Sequence, residues 1–196
     1  YIVALCVLAR RAGRPVKWIE DRLEHLSAST SATNRVTTLR AAVRKDGLIT
    51  ALDWDQIDDC GAYLKAPEPA TLYRMHGNMT GAYRIAHLAI RNRVVVTNKT
   101  PTGLVRGFGG PQVYFALERL TARIARVLGK EPLEIIARNC LAAEDFPYRT
   151  ASGGLYDSGN YEAAIELAEQ ADMLPELRYR RDTARAAGNL YGIGLA

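Results

Sequence analysis

Arg106-Gly107-Phe108-Gly109-Gly110-Pro111-Gln112 joins a strand-like stretch, residues 91–98, to a strongly amphipathic helix. Gly107, Gly109 and Gly110 fall within four positions. Without a Cβ, such residues adopt φ > 0 or let the backbone approach something large. Pro111 suits the first turn of a helix, where its missing N–H costs nothing. A turn of this kind leaves backbone N–H groups directed at the space before the helix, which favours an anionic or acceptor-rich group there. Phe108 adds a large aromatic ring and Arg106 a guanidinium.

On spacing alone, a tight connection and a ligand-holding loop are both open. The stretch is not a Walker loop, because no Gly-Lys-Ser/Thr follows the glycines. It is not a dinucleotide fingerprint either, because the glycine spacing differs and no βαβ unit precedes it. The helix behind it favours a held geometry. Val113, Leu117, Leu120, Ile124, Val127 and Leu128 recur at helical steps, with Glu118, Arg119, Arg123 and Arg126 opposite. Gly129 closes the segment as a left-handed terminator.

Outward from this loop, 196 residues with 48% hydrophobic side chains suffice for one domain with a core. Charged residues make up 24%, which does not indicate disorder. The net charge of +5 comes from basic residues scattered among acids, and the basic residues Arg178, Arg180, Arg181 and Arg185 share their helix with Glu176 and Asp182. That reads as a solvated face, not a nucleic-acid surface. The apolar run 1–9 is too short to span a bilayer. Cys6, Cys60 and Cys140 are far apart and share no ligand spacing with His25, His76 or His87, so no metal site built from side chains is expected. Unpaired thiols suggest a reducing, cytoplasmic compartment, with the periplasm left open.

Residues 1–12 read as an apolar helix closed by Gly13, and Val16-Lys17-Trp18-Ile19-Glu20 as a short strand. Residues 21–34 read as loop or edge structure. Residues 35–44 and 48–58 bracket Lys45-Asp46-Gly47 and predict a β-hairpin. Residues 61–80 are irregular and too long for a plain connection. Val94-Val95-Val96 reads as a buried strand, residues 131–142 as a helix opened by Pro132, and 145–159 as loop. Helices follow over 160–172 and 175–187. The fold class expected is α+β, a mixed sheet or hairpin followed by helices. A first residue that is Tyr, and a closing Tyr191-Gly192-Ile193-Gly194 that resembles a strand beginning, lead us to expect an interior piece of a longer protein.

Several landmarks, in order, carry a resemblance: Leu8-Ala9-Arg10-Arg11-Ala12-Gly13-Arg14-Pro15-Val16, the hairpin at Lys45-Asp46-Gly47, Gly81-Ala82-Tyr83-Arg84-Ile85, and the Arg106–Gln112 stretch. Pro132-Leu133-Glu134-Ile135-Ile136-Ala137-Arg138-Asn139 and Tyr191-Gly192-Ile193-Gly194 complete it. Across essentially the whole chain the sequence resembles the molybdopterin-binding large subunit of the xanthine dehydrogenase and aldehyde oxidase family, the molybdenum hydroxylases. Residues 1–196 would then be part of a larger molybdopterin-binding domain, truncated at both ends. The resemblance implies an oxidoreductase that hydroxylates an aldehyde or an N-heterocycle with oxygen from water. Electrons would pass to iron–sulfur clusters and FAD, carried by a 2Fe-2S small subunit and an FAD-binding medium subunit or by fused domains, in a dimer of such units.

Position by position, the resemblance implies that Arg106 offers its backbone N–H to the molybdenum–pterin cofactor, with Gly107 allowing close approach. It implies that Phe108 stacks on a flat substrate, and that Arg74 faces the substrate, as in purine-oxidising members. It leaves open whether the pterin is the cytosine dinucleotide or the mononucleotide form. Gly107 stands where the carbon monoxide dehydrogenase branch carries a cysteine, which argues against that activity. The family's catalytic glutamate would lie beyond the chain, so this stretch alone would be inactive. A different class, a non-catalytic phosphate- or nucleotide-binding module using the same glycine loop, is the competing reading.

Overall fold

In the computed structural model, residues 1–32, 34–66, 75–107, 109–171 and 173–194 are described. The hairpin forms where the Asp-Gly pair places it. Strand β1 (Asn34–Val43) runs antiparallel to β2 (Ile49–Asp59), with Gly47 at φ 91 in the turn. Asp46 accepts the Leu48 amide (3.3 Å) beside it. Strand β3 (His87–Val95) then pairs parallel to β2, so the sheet order is β1-β2-β3 with β2 central.

One face of that sheet builds the core. Leu52 and Trp54 of β2 are buried, and they cluster with Val113, Leu117 and Ile124 of helix α3 (Gly110–Leu128) and Ile135 of α4 (Pro132–Asn139). Met75, Met79, Tyr83 and Ile85 close the cluster from the segment before β3. The inward alternation continues through polar residues: Trp54 Nε1 donates to Gln56 (2.6 Å), Gln56 Nε2 to Asp58 (3.3 Å), and Arg35 Nε to Asp58 (2.6 Å). Buried polar groups persist when bonded in this way. Asn139, 1% exposed, ties α4 to the hairpin. Its side chain accepts the Ile49 amide (2.8 Å) and donates to the Gly47 carbonyl (3.0 Å).

Two helices precede the sheet: α1 (Ile2–Ala12), ended by Gly13 at φ 63, and α2 (Arg22–Ala28). A small antiparallel pair, β4 (Tyr148–Arg149) with β5 (Leu155–Tyr156), is followed by α5 (Tyr161–Gln170) and α6 (Met173–Ala186). The architecture is α+β, as expected, with a small mixed sheet among helices.

Several local expectations are corrected. Residues 16–20 have no ladder partner; Trp18 instead lies against Tyr1, ring centroids 4.4 Å apart. Residues 22–28 form a helix rather than loop, because Asp21 and Glu24 make a reciprocal capping box (2.8 and 3.0 Å). Val94, Val95 and Val96 are not buried but 43%, 38% and 62% exposed: the first two end β3, whose described ladder lies on one side only, and Val96 lies just past it. Val127 is 77% exposed, and Thr121 occupies the buried stripe, its hydroxyl bonded back to the Leu117 carbonyl (3.1 Å). Helix α4 ends at Asn139, and residues 191–194 form no strand.

Candidate functional site

The Arg106–Gln112 stretch is held at both ends. Upstream, residues 97–103 are stitched to two other segments through the backbone. Thr97 N donates to Gly61 O (2.9 Å), Ala62 N to Lys99 O (2.9 Å) and Thr102 N to Cys60 O (3.1 Å). Ser31 N donates to Pro101 O and Gly103 N to Ser31 O, both at 3.0 Å. Gly61 is required there: its φ is 74, and a Cβ would sit 2.7 Å from Pro101 Cα. Downstream, Gly109 (φ 88) caps α3 and Pro111 stands in its first turn.

Between these anchors the chain turns outward. Leu104, Val105, Arg106 and Gly107 are exposed. The Gly110 amide closes the turn on the Gly107 carbonyl at 2.8 Å. The amides of Val105, Arg106 and Gly107 have no acceptor among the described residues. Gly107 is needed for an internal reason: at φ 94, a Cβ would lie 2.6 Å from Pro111 Cδ. Its smoothness packs the turn onto its own proline. The Gln112 Oε1 atom is buried and receives no donor among the described residues. That glutamine was in the stretch read from the sequence but was given no role; only burial distinguishes it.

Of the four predicted site residues, Arg106 and Gly107 sit together on this turn. Arg74 and Phe108 lie outside the described residues. Among the described residues no group of three or more His, Cys, Asp or Glu is placed to hold a metal ion. A concavity of about 680 Å³ on the outer sheet face, lined by Arg40, Ala51, Asp53 and His87 among others, includes neither Arg106 nor Gly107.

A part-buried polar pair braces the helix behind the turn. The Tyr83 hydroxyl meets both carboxylate oxygens of Glu118 at 2.8 Å, joining the Gly81–Ile85 landmark to α3. Burial raises the Glu118 pKa and outweighs the hydroxyl's opposite pull. Burial and the Glu118 charge push the Tyr83 phenol up as well. Cys140, half-buried nearby, is pushed up to about 11 by burial and then by the charges of Glu118 and Glu162, so its thiol stays neutral. Two of the basic side chains of α6 meet acids: Arg180 with Glu176 (2.7 Å), and Arg181 with Glu131 (3.1 Å) and Asp182 (2.8 Å). No helix among the described residues is long and apolar enough to cross a membrane.

Comparison with known proteins gives this turn its context. Residues 1–140 match the family model described as the molybdopterin cofactor-binding domain. The chain is 35% identical over 99% of its length to the carbon monoxide dehydrogenase large chain of Hydrogenophaga pseudoflava, covering 24% of that protein. It is 32% identical over 93% of its length to the nicotine 6-hydroxylase large subunit of Paenarthrobacter nicotinovorans, covering 22% of it. Among solved structures, quinoline 2-oxidoreductase from Pseudomonas putida 86 superimposes with a TM-score of 0.85 at 36% identity, over 95% of this chain and 24% of that one. The chain therefore spans about a quarter of the length of these relatives. A family model matched over most of the chain, on a fold that presents bare amides at a glycine turn, settles the kinship: this chain belongs to the molybdopterin cofactor-binding domain family of the xanthine dehydrogenase type.

Proposed function

We propose that the chain is part of the large subunit of a molybdenum hydroxylase, an oxidoreductase that inserts water-derived oxygen into an aldehyde or N-heterocycle C–H bond. The observation that carries this reading is the exposed turn whose Val105, Arg106 and Gly107 amides have no acceptor among the described residues, held by anchors on both sides. A pterin cofactor presents many acceptor atoms and brings its own metal ligands. It thus asks the protein for backbone donors rather than for a His/Cys cluster.

When bound, the molybdenum–pterin group supplies the oxygen and the two-electron acceptor, so that C–H and water become C–OH, two protons and two electrons. The chain's own residues position it. The amides of Arg106 and Gly107 would hold the cofactor by donating to its acceptors, and Gln112 Oε1, buried without a donor among the described residues, would accept an N–H from it. Charged or polar donors fixed in advance cost no reorganisation at the moment of reaction. Phe108 would hold planar substrates by stacking, worth about 0.5–1.5 kcal/mol beyond burial. Arg74 stabilises negative charge that develops on the heterocycle. Electrons leave to a 2Fe-2S small subunit and an FAD-binding medium subunit. Kinship with a carbon monoxide dehydrogenase does not bring that substrate, because position 107 carries no side chain.

The test is to purify the complete protein with its cofactor, measure molybdenum and pterin content, and assay a panel of aldehydes and N-heterocycles. Stoichiometric metal and pterin with turnover on at least one class are expected. In the Phe108→Ala variant, turnover falls about tenfold while metal content stays within wild-type scatter. Wild-type protein lacking molybdenum and pterin, yet binding a nucleotide, would overturn this reading in favour of a nucleotide-binding module.

A further inference from the structure

Asp59 ends β2 at 8% exposure, and its carboxylate gathers donors from three separate segments. Oδ1 accepts the Gly61 amide (2.9 Å) and the Thr97 hydroxyl (2.6 Å). Oδ2 accepts the Lys99 ammonium (2.9 Å) and the Asn34 amide (3.4 Å). Thr97 and Lys99 belong to the tether that leads into the proposed cofactor turn. The last tether amide bonded to another segment is Gly103, and the next fixed point is the start of α3. Residues 104–107 therefore point where the tether directs them. The Lys99 head is 60% exposed, and Asp59 stands outside the apolar core cluster. With its cation in solvent the ion pair itself contributes little, and what the carboxylate chiefly does is tie Gly61, Thr97 and Lys99 to one point. The Thr97 bond, with the Gly61 and Lys99 bonds, holds the Asp59 carboxyl down at about 2, so it stays ionised across the ordinary pH range.

We propose that Asp59 is a positioning residue for the molybdenum–pterin site: it fastens residues 97–103 and thereby aims the Arg106 and Gly107 amides. This rests on the functional reading above. It concerns a side chain at the end of β2, outside the Arg106–Gln112 turn. Asp59→Asn retains the shape but must turn its NH₂ toward donors, either the Lys99 ammonium or the Gly61 amide and Thr97 hydroxyl.

The experiment compares complete, cofactor-bearing wild type with Asp59→Asn. It reads amide hydrogen exchange of residues 97–107, molybdenum and pterin content, and the electron paramagnetic resonance signal of the metal in the fraction that retains it. Exchange in 97–107 is expected to quicken roughly tenfold, α3 and α4 to exchange as in wild type, and the metal signal to change shape. Unchanged exchange in 97–107 with an unchanged signal overturns the aiming role and leaves the functional reading intact. Equal acceleration in α3 and α4 also overturns it, since that marks a general loss of structure. Should Asp59→Asn fail to accumulate, Thr97→Val removes one donor while keeping the ion pair. It is expected to move the same two readouts less, and wild-type behaviour there overturns the proposal. Wild type without molybdenum or pterin removes the functional reading, and the aiming role with it.

Discussion

At the scale of single residues, the glycines of the loop separate into two kinds. Gly107 has φ 94, and a Cβ there would lie 2.6 Å from the Pro111 ring. Gly110 starts α3 with no positive φ, and a Cβ would meet Tyr114 at 3.4 Å, ordinary contact. The two substitutions to alanine should therefore act in opposite directions. Gly107→Ala adds a left-handed strain of about 1–2 kcal/mol and a backbone shift of the turn. Gly110→Ala, at the first position of the helix, restricts the unfolded chain and stabilises by up to about 1 kcal/mol. Thermal unfolding of the two variants checks this. A Gly107→Ala protein as stable as wild type, with cofactor content unaltered, would show that the turn is not held as described.

At the scale of elements, helix α3 depends on a carboxyl that burial disfavours in its charged form. The Glu118 pKa is raised in the folded state, so the folded protein holds that proton more tightly than the unfolded chain. The associated stability is fully present below the ordinary carboxyl range and is lost as pH rises through the elevated value. Compared with Glu118→Gln, wild type should match the variant at about pH 4 and fall progressively behind it toward about pH 7. Melting temperatures of both proteins across that range test it; a difference that is constant with pH, or that grows in favour of wild type, rules it out. Glu118 also illustrates what the sequence carries. Its helical stripe was legible because Val113, Leu117 and Ile124 recur at local spacing, whereas its partner Tyr83 lies 35 positions away. The β1–β2 hairpin was legible for the same reason, since Asp46-Gly47 is a local signal. The capping box at Asp21 and Glu24 was equally local, but the Ser, Thr and Ala nearby masked it. The Val94–Val96 run was misjudged because apolar content does not say whether a strand sits at a sheet edge. The Asp59 knot and the Asn139 clasp join residues whose neighbourhood exists only after folding. The candidate turn itself was visible in its glycines, yet the unpaired amides and the buried Gln112 oxygen needed coordinates.

At the scale of the whole molecule, the apolar side chains of the first two helices face outward. Helix α1 buries none of its residues; Ile2 and Val3 are 79% and 78% exposed, and Leu23 and Leu26 of α2 are 75% and 65% exposed. Contiguous apolar area of this kind is rare on soluble monomers and marks surface that meets something else. The sheet and the α3–α4 layer, by contrast, have a closed core of their own. The 196-residue chain on its own should therefore have a folded centre beside an adhesive end. It should bind an apolar dye such as anilinonaphthalene sulfonate and self-associate in a concentration-dependent way. Val3 and Val7 lie one helical turn apart on one face of α1, both exposed. The double variant Val3→Lys with Val7→Lys should lower dye binding and shift sedimentation toward monomer. Its melting temperature should stay within about 2 °C of the parent, because neither side chain supports the core. A large fall in melting temperature would place α1 inside the cooperative unit. Undiminished dye binding would move the adhesive surface elsewhere, to the exposed edge of β3.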